Sequence, residues 1–578
     1  MVAETTLDMR TIVDQLDASD NGTSSGNGTS SGTSAQSRTW PGDGMNWLIF
    51  DMASAPQPSP DRRPWTQTGL PLVAIAGAVF LVFGRALGFD FLLWDDDIQL
   101  TGNPTLQRLD WPTAQHMFAH GYAIRYQPLS WLSSALIAKL AGLRPLPFHA
   151  YNVLVHALCA TLLAALIRQL VAPAEGAAEE KHVTVLWASV FGALAWALHP
   201  LRVEPVVWAT GWRYCQSVAL MLTSALLYLR AVRRAPEAVM RTGAYWLAVV
   251  AFALSAFSYP FCLEWPLVLV LLDVYPLARW RSLAAWLDKL PFAALSAFVL
   301  TVAIIIRNTT KVADYLPATW AEYGPVSRLM KVFAVWANAI VRTCLPFDLG
   351  PIYPQALSVH AISFRSVASA VVLLGLTVVL VRFRRRHPLL LVLWLAHLVL
   401  LGSKLGLLEV GHIDADRYTY PAGMAWAALV TAGYLALGRH PLGRRARLPL
   451  VVALLGALGI MSFRQSSIWR NDTSFFPAAL AKAGSTGPRG DLVWRLALAE
   501  WRDGNLPAAL SLFDEAVGLR PDDLRARLMR TKLLQQLGRT QEAFREMSEV
   551  MRLTGASTAE EAHRIISQFV RGPSTEFR

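Results

Sequence analysis

Three adjacent carboxylates, Asp95, Asp96 and Asp97, follow directly on a long apolar segment in the stretch "FLLWDDDIQLTGNP" (91–104). One acid at this point is explained as a helix-end residue at a membrane interface, but three are more than such an end requires. Because close carboxylates repel one another, at least one pKa should rise toward the range useful for accepting a proton from a hydroxyl. The stretch therefore predicts general-base chemistry, with the helix-end explanation as the alternative.

The same three acids raise the question of a metal. Carboxylate oxygens suit a divalent cation, but no spaced set of further ligands accompanies Asp95 to Asp97. The four cysteines also lack a metal-type spacing. The sequence assigns no metal site and no cofactor, and it leaves a divalent cation at these acids as an alternative only.

Other polar residues are interspersed among apolar segments on the predicted outer side of the membrane. Ionisable groups are costly in a membrane, about 2.5–3.5 kcal/mol at a helix centre, so their gathering predicts a polar cavity that opens outward. For any single residue, such as His156, an interhelical hydrogen bond is the favoured alternative. The set comprises Arg125, Tyr126, Gln127, His149, Asn152, His156, His199, Arg202, Glu204, Arg213, Asp414, Asp416 and Arg417.

The elements that must position these residues are membrane helices. The chain has 578 residues, of which 54% are hydrophobic and 16% charged, and its mean hydropathy is +0.35. Such a composition predicts an all-α, polytopic membrane protein. About eleven spans are expected, near residues 69–88, 149–171, 183–199, 214–230, 243–259, 263–278, 290–306, 364–382, 388–404, 420–438 and 448–463.

The net charge of +12 is explained by topology. The strongly basic short loops fall on one side of the membrane only if 328–346 does not span it, and that stretch is expected to lie in the interface as an amphipathic helix. The positive-inside rule then places the N-terminus in the cytoplasm and the C-terminal tail outside. We expect no nucleic-acid surface. The basic loops are 230–241, 279–281, 382–386 and 439–447.

Three regions follow from these patterns. Residues 1–66 form a polar, low-complexity tail that is expected to be disordered, and 67–463 form the membrane domain. In 464–578, Gly504 and Ala509 recur 34 residues later as Gly538 and Ala543. Together with Phe513, Ala516 and Pro521, this order is typical of a tetratricopeptide repeat, which stacks helix pairs to hold a peptide or protein.

An ordered set of motifs gives the chain a family resemblance. It resembles membrane proteins that pair a C-type glycosyltransferase fold with a tetratricopeptide tail, including O-mannosyltransferases. The motifs span most of the membrane domain and occur in the family's order. They are "DDDIQLTGNP" (95–104), "YQPLSWLS" (126–133), "FHAYNVLVHAL" (148–158), "ALHPLRVEPVVW" (197–208), "LLDVYPL" (271–277) and "DRYTYP" (416–421).

The resemblance implies a polyprenyl-phosphate sugar as donor, with mannose as one candidate sugar, and a protein or glycan hydroxyl as acceptor on the outer face. It implies that Asp95 and Asp96 are the catalytic acidic pair. The lipid phosphate needs cationic support, for which Arg417 is the first candidate and Arg213 the second. His199 and Glu204 are expected beside them on the donor side. The expected acceptor-side residues are Asp97, Tyr126 and Gln127.

Some positions depart from the family pattern. Trp212 and Tyr214 stand where relatives often carry Arg and Asp, Tyr259 stands where Lys is common, and Gln127 stands where a basic residue is common. These departures predict another donor sugar, another acceptor or lost catalysis. The alternatives are therefore a non-catalytic scaffold that recruits envelope proteins through its repeats, and a lipid or sugar transporter. The expected location is a bacterial inner membrane, in contact with membrane lipids, with the repeats in the periplasm.

Overall fold

The computed structural model describes residues 65–172, 177–309, 324–353, 363–404, 414–483, 489–562 and 564. Its regular elements are helices, and two isolated β-bridges are the only strand-like pairings in these ranges. The predicted all-α fold is confirmed. The tail expected to be disordered, 1–66, lies outside the described residues apart from its last two, which begin the first helix.

The described membrane part is built from helices that are mostly apolar. In chain order they are α1 (Trp65–Phe83), α2 (Trp111–Ala119), α3 (Pro128–Ala141), α4 (Pro145–Leu170), α5 (Glu179–Ala197), α6 (Val203–Val207), α7 (Trp212–Arg234), α8 (Gly243–Ser258), α9 (Trp265–Val274), α10 (Leu283–Leu287), α11 (Leu290–Thr309), α12 (Pro325–Cys344), α13 (Phe364–Arg382), α14 (Pro388–Leu400), α15 (Thr419–Ala422), α16 (Met424–Leu437) and α17 (Pro441–Ser466).

The helices identify an integral membrane protein. Within the described ranges, 6 helices are long and apolar enough to cross a membrane, or up to 8 if two bent helix pairs each count as one span. Three more apolar helices, α8, α9 and α14, are shorter, at 10–17 residues. Each of the predicted spans coincides with one of these helices, while the count of eleven and the orientation remain predictions.

The stretch 328–346 is helical as far as Cys344, as expected, and this part belongs to α12. Its buried face includes Val332, Val335 and Ala339, and also Arg342 near its C-terminal end. The Arg342 guanidinium pairs with Asp414 at 2.8 Å. Burial of this charge requires such a partner because an unpaired buried cation is costly.

Two bent helix pairs bring distant loops together. α5 meets the segment Pro200–Val207 at 66°, and the segment Asp416–Ala422 meets α16 at 53°. Pro200 opens the segment after the first break, which its missing amide favours. In the second pair, Pro421 lies two residues before the break at Gly423. The two breaks place Glu204 and Arg417 in direct contact.

The C-terminal region forms further helices, which are α18 (Asp472–Ala483), α19 (Arg489–Arg502), α20 (Leu506–Leu519), α21 (Leu524–Gln536) and α22 (Thr540–Thr554). Gly504 precedes α20 with φ +84° and Gly538 precedes α22 with φ +71°, a conformation that glycine adopts without a Cβ penalty. Ala509, Phe513, Ala516 and Ala543 are buried between these helices.

One apolar core joins the membrane part to the C-terminal helices. Trp469, Phe475 and Leu492 belong to the same buried cluster as Trp208 and Tyr214 of the membrane part. Trp208 and Trp469 lie with ring centroids 5.9 Å apart. The C-terminal helices are therefore packed directly beside the segment that carries the predicted site.

Candidate functional site

Asp95 points into a cluster of arginines. Its carboxylate accepts from Arg125 at 2.8 Å and from Arg213 at 3.3 Å, and 24% of its side chain is exposed. Its backbone has φ +70°, an unusual value for a residue other than glycine that neighbouring contacts must maintain. Burial alone would raise the pKa of Asp95, but the guanidinium groups of Arg125 and Arg213 outweigh it and hold that pKa below its usual range.

Arg125 is presented by a tight turn. Tyr122 and Arg125 exchange both backbone hydrogen bonds, at 3.1 and 3.0 Å. The two residues between them, Ala123 and Ile124, have φ values of +46° and +58°, which matches a type I′ turn. A β-branched residue such as Ile124 is rarely found in this conformation. The turn is therefore strained, and it directs Arg125 toward Asp95.

Arg213 is fully buried at the start of α7 and lies among aromatic rings. Its guanidinium carbon lies 5.3 Å from the ring centre of Trp208, 5.2 Å from that of Tyr214 and 5.4 Å from that of Tyr259. Aromatic faces stabilise a cation that has lost its water shell. Tyr259 is tied to the same cluster, because its hydroxyl accepts from Arg125 at 3.3 Å.

Arg417 completes the cluster. Its guanidinium is ion-paired with Glu204, and the second carboxylate oxygen of Glu204 accepts from the backbone amide of Arg417 at 2.8 Å. The guanidinium carbon also lies 5.6 Å from the ring centre of Trp208 and 4.9 Å from that of Tyr418. Arg213 and Arg417 therefore share the ring of Trp208.

The charges of this arginine cluster do not balance. Arg125, Arg213 and Arg417 are cations, while Asp95 and Glu204 are anions, which leaves one positive charge in excess. Among the described residues, Nε and Nη1 of Arg213 and Nε of Arg417 are buried without a hydrogen-bond partner. Buried donors normally have partners, and a guanidinium suits the geometry of a phosphate. The cluster is thus chemically suited to hold an anion.

Asp96 points the opposite way from Asp95. It is completely buried, and its two oxygens accept from the backbone amides of Leu92 at 2.9 Å and Thr210 at 3.0 Å. Burial raises the pKa of Asp96 to about 8, although the two amides act against this shift. Asp96 therefore fastens its own loop to the segment before α7, and its oxygens do not face the arginine cluster.

Asp97 faces the C-terminal helices. Its carboxylate lies 3.8 Å from the Arg495 guanidinium of α19. Burial raises the pKa of Asp97, and the charge of Arg495 opposes that shift. The three adjacent acids thus have three different surroundings: the arginine cluster, buried backbone amides and the C-terminal helices.

The other predicted site residues lie in packed surroundings. Tyr126 is buried and donates to the Phe118 carbonyl at 3.0 Å, while Gln127 is buried and donates to Gln99 at 3.0 Å. His199 uses both ring nitrogens, with Nε2 3.0 Å from the Thr343 carbonyl and Nδ1 3.2 Å from the Leu201 amide. Tyr126 and His199 thus bind backbone groups, whereas Gln127 binds another side chain. Contacts of this kind indicate that the three residues position their surroundings.

Among the residues assigned to an outward cavity, several satisfy interhelical bonds. His156 bonds to the Tyr420 hydroxyl at 2.7 Å and to the Ala197 carbonyl at 3.1 Å, which confirms its expected structural role. Asn152 donates to the Trp208 carbonyl at 2.6 Å. The altered position Trp212 is likewise structural, because its indole donates to the Ser130 carbonyl at 3.1 Å.

Sequence reasoning placed Arg125 in the outward cavity but assigned it no role in the site. Arg125 lies two residues before Gln127, and it supplies near that position the basic charge that Gln127 lacks. Tyr214 and Tyr259, noted only as departures, face the guanidinium of Arg213. The predicted site also omitted Trp208, which lies between Glu204 and Arg213 in "EPVVWATGWR" (204–213), and this position was the available signal. In the part of the chain that is described, no group of three or more His, Cys, Asp or Glu could hold a metal ion.

Comparisons with known proteins agree with the predicted resemblance. No protein-family model matches the chain. The chain is similar to "Protein O-mannosyl-transferase TMTC3" of Homo sapiens, with 19% identity over 453 residues, which are 72% of this chain and 47% of the relative. It is also similar to "Protein O-mannosyl-transferase TMTC1" of Mus musculus, with 31% identity over 187 residues, which are 30% of this chain and 18% of the relative.

The chain thus spans about half the length of TMTC3 and less of TMTC1. One solved structure, ArnT from Cupriavidus metallidurans bound to undecaprenyl phosphate, aligns with 79% of this chain and 76% of its own. That alignment has 13% sequence identity and a TM-score of 0.36. The resemblance to O-mannosyltransferases predicted from the ordered motifs is confirmed by the two sequence relatives.

Proposed function

We propose that the protein is a membrane glycosyltransferase. It moves a sugar, with mannose as the first candidate, from a polyprenyl-phosphate carrier to a hydroxyl of a protein or glycan on the extracytoplasmic face. The observation that carries this proposal is the partly exposed Asp95 carboxylate, which is held by Arg125 and Arg213 at the edge of a cluster with surplus positive charge. The two sequence relatives, both named protein O-mannosyl-transferases, support the same reaction class.

The proposed transfer needs cations beside the leaving phosphate and a proton acceptor beside the attacking hydroxyl. The arginine cluster with Asp95 contains both. The bond from the anomeric carbon to the phosphate oxygen breaks, and its electron pair leaves with the lipid phosphate. The guanidinium groups of Arg213 and Arg417 stabilise that developing negative charge. The acceptor oxygen forms the new bond to the anomeric carbon, and its proton passes to Asp95.

The lowered pKa of Asp95 fits a late proton transfer. A carboxylate with a lowered pKa stays ionised but is a weak base. Glycosyl transfer proceeds through a transition state with oxocarbenium character, in which the hydroxyl becomes acidic only as the new bond forms. Asp95 then orients the hydroxyl first and receives its proton at the end.

Within this proposal, residues 67–463 are the transferase domain, and 464–578 are a tetratricopeptide-like domain that holds the acceptor. The eleven-span topology and the outer location of the cluster are parts of the same proposal. Asp96, first expected as half of a catalytic pair, is assigned here to positioning, because both of its oxygens bind backbone amides.

The test is transfer by purified protein in lipid vesicles. The donor is polyprenyl-phosphate mannose with a radiolabelled sugar, and the acceptors are envelope proteins from a deletion strain. We expect Asp95→Asn to reduce transfer by about 10³-fold or more, since it removes both the charge and the proton acceptor. The control is Asp110→Asn, which alters an exposed helix cap of α2 that asparagine replaces well.

Equal transfer by Asp95→Asn and wild type would contradict the assignment of Asp95. Absence of transfer by wild type from mannose and from other hexose donors, to protein and to glycan acceptors alike, would contradict the proposed function. In that case a scaffold or a transporter would have to explain the arginine cluster.

A further inference from the structure

The loop that carries Asp95 forms hydrogen bonds with the C-terminal region at several points. The backbone amide of Leu93 donates to Asp472 at 2.7 Å, and the carbonyl of the same residue accepts from Arg495 at 2.5 Å. Three residues earlier, the amide of Asp90 donates to the carbonyl of Arg470 at 2.9 Å. Both polar groups of Leu93 are therefore held by residues that follow it by 379 and 402 positions.

Arg495 also links the loop to the next helix pair. It lies 3.8 Å from Asp97 and 3.2 Å from Asp491, which in turn lies 3.4 Å from Arg525 of α21. The result is a chain of alternating charges, Asp97–Arg495–Asp491–Arg525. Only 13% of the Arg495 side chain is exposed, and pairs shielded from water in this way are screened less by salt than exposed pairs.

These contacts with the C-terminal helices help to fix the unusual backbone conformation of Asp95. Asp95 lies two residues from Leu93 and has a left-handed backbone, which costs roughly 1–3 kcal/mol and persists only when its surroundings fix it. The membrane part fixes one side of the loop through Arg125, Arg213 and the amide bonds of Asp96. The C-terminal helices fix the other side, through Leu93 and Asp97.

We propose that Arg495 and Asp472 are positioning residues for the transfer reaction, which hold the loop so that Asp95 faces the arginine cluster. This inference rests on the proposed function. It gives the C-terminal helices a part in the chemistry in addition to any part in holding an acceptor. The charge chain to Arg525 makes the loop responsive to the packing of the later helices.

The test compares Arg495→Ala with Arg495→Lys, Asp472→Ala and the control Arg489→Ala, all in the full chain. Arg489 lies on the same helix and pairs with Glu515 at 2.9 Å on the surface, so its loss leaves the loop contacts intact. Two quantities are measured: hydrogen exchange of the amides in 89–101, and kcat and KM for the lipid-linked sugar.

We expect faster exchange in 89–101 for Arg495→Ala and Asp472→Ala only. Their kcat should fall by about 10- to 100-fold, because a misplacement of about 1 Å has a cost of this size, while KM for the lipid donor stays unchanged. Arg495→Lys should recover part of kcat, since it keeps the charge but loses the guanidinium fork. A general loss of folding would instead lower the fraction of active protein and leave kcat per active site unchanged.

The inference is overturned if Arg495→Ala leaves the exchange of 89–101 unchanged, or if it loosens the loop without lowering kcat. Failure of the proposed function has a different signature, namely no transfer by wild type. The exchange measurement then still decides whether the C-terminal helices hold the loop.

Discussion

At the scale of single residues, adjacent acids of the same type have separate tasks because the backbone turns between them. Asp95 enters the arginine cluster, whereas Asp96 binds the amides of Leu92 and Thr210. A sequence of three aspartates contains no sign of this division. The left-handed backbone of Asp95, which directs the two side chains apart, depends on contacts with residues far along the chain.

The separate surroundings of Asp95 and Asp96 predict different results when each is replaced by asparagine. Asp96→Asn should keep most of the transfer activity per folded molecule, in contrast to Asp95→Asn. It should lower the free energy of unfolding by about 1–3 kcal/mol, because asparagine accepts from one amide and leaves the other without a partner. Thermal unfolding in detergent and kcat on the folded fraction measure the two effects. Complete loss of activity in well-folded Asp96→Asn would restore the idea of a catalytic pair.

The raised pKa of Asp96 predicts a dependence of stability on pH. In the unfolded chain this carboxyl ionises near pH 4, but in the folded protein it keeps its proton up to about pH 8. Its contribution to stability is therefore complete below about pH 4 and is lost as the pH rises to about 8. Between pH 5 and 8, the difference in Tm between wild type and Asp96→Asn should narrow. A difference in Tm that widens over this pH range would contradict the raised pKa of Asp96.

At the scale of elements, the breaks in helices position the cluster. Glu204 lies on α6 and Arg213 on α7, and the few residues between them must turn sharply. Gly211 makes this turn possible, since a Cβ there would lie 2.2 Å from the Pro205 carbonyl oxygen. Because that atom belongs to the backbone, no side-chain rotation can relieve the clash.

Gly211→Ala should therefore disturb the site and the fold together. We expect it to lower the free energy of unfolding by about 1–3 kcal/mol, the usual cost of forcing an extra carbon into packed surroundings, and to reduce transfer by the folded fraction. Gly375→Ala in α13 is the matched control, because nothing lies within 4 Å of its added Cβ. It should be neutral or slightly stabilising. Equal behaviour of the two variants in thermal unfolding would contradict the role of Gly211.

Helices were more predictable from sequence than their contacts. The mostly apolar run 364–382 coincides with α13 (Phe364–Arg382, 19 residues), since such a run has few other stable arrangements in a membrane. The stretch 328–346 was correctly predicted as helical. Its ion pair between Arg342 and Asp414 joins residues 72 positions apart, and periodicity within one helix carries no information about such a partner.

At the scale of the whole molecule, a second buried charged group lies far from the arginine cluster. Lys289 is ion-paired with Asp273 and Asp288, and it donates to the Tyr228 hydroxyl. Tyr228 and Arg213 both belong to α7, 15 residues apart, which corresponds to about 22 Å along the helix. This second group fastens the start of α11 to the far end of α7.

Because the buried group around Lys289 lies far from the arginine cluster, we predict that it affects the stability of the protein and not the transfer reaction. Lys289→Met leaves two buried aspartates with less compensation, so the free energy of unfolding should fall by about 3–5 kcal/mol. The control Lys482→Met removes a pair whose partner, Asp348, is 92% exposed, and such surface pairs contribute about 0–1 kcal/mol. Protein that remains folded in Lys289→Met should keep the wild-type kcat and KM, because the arginine cluster and the Asp95 loop do not contact these residues. A changed kcat in the folded fraction would indicate that α7 couples its two charged ends, and it would contradict a purely structural role for Lys289.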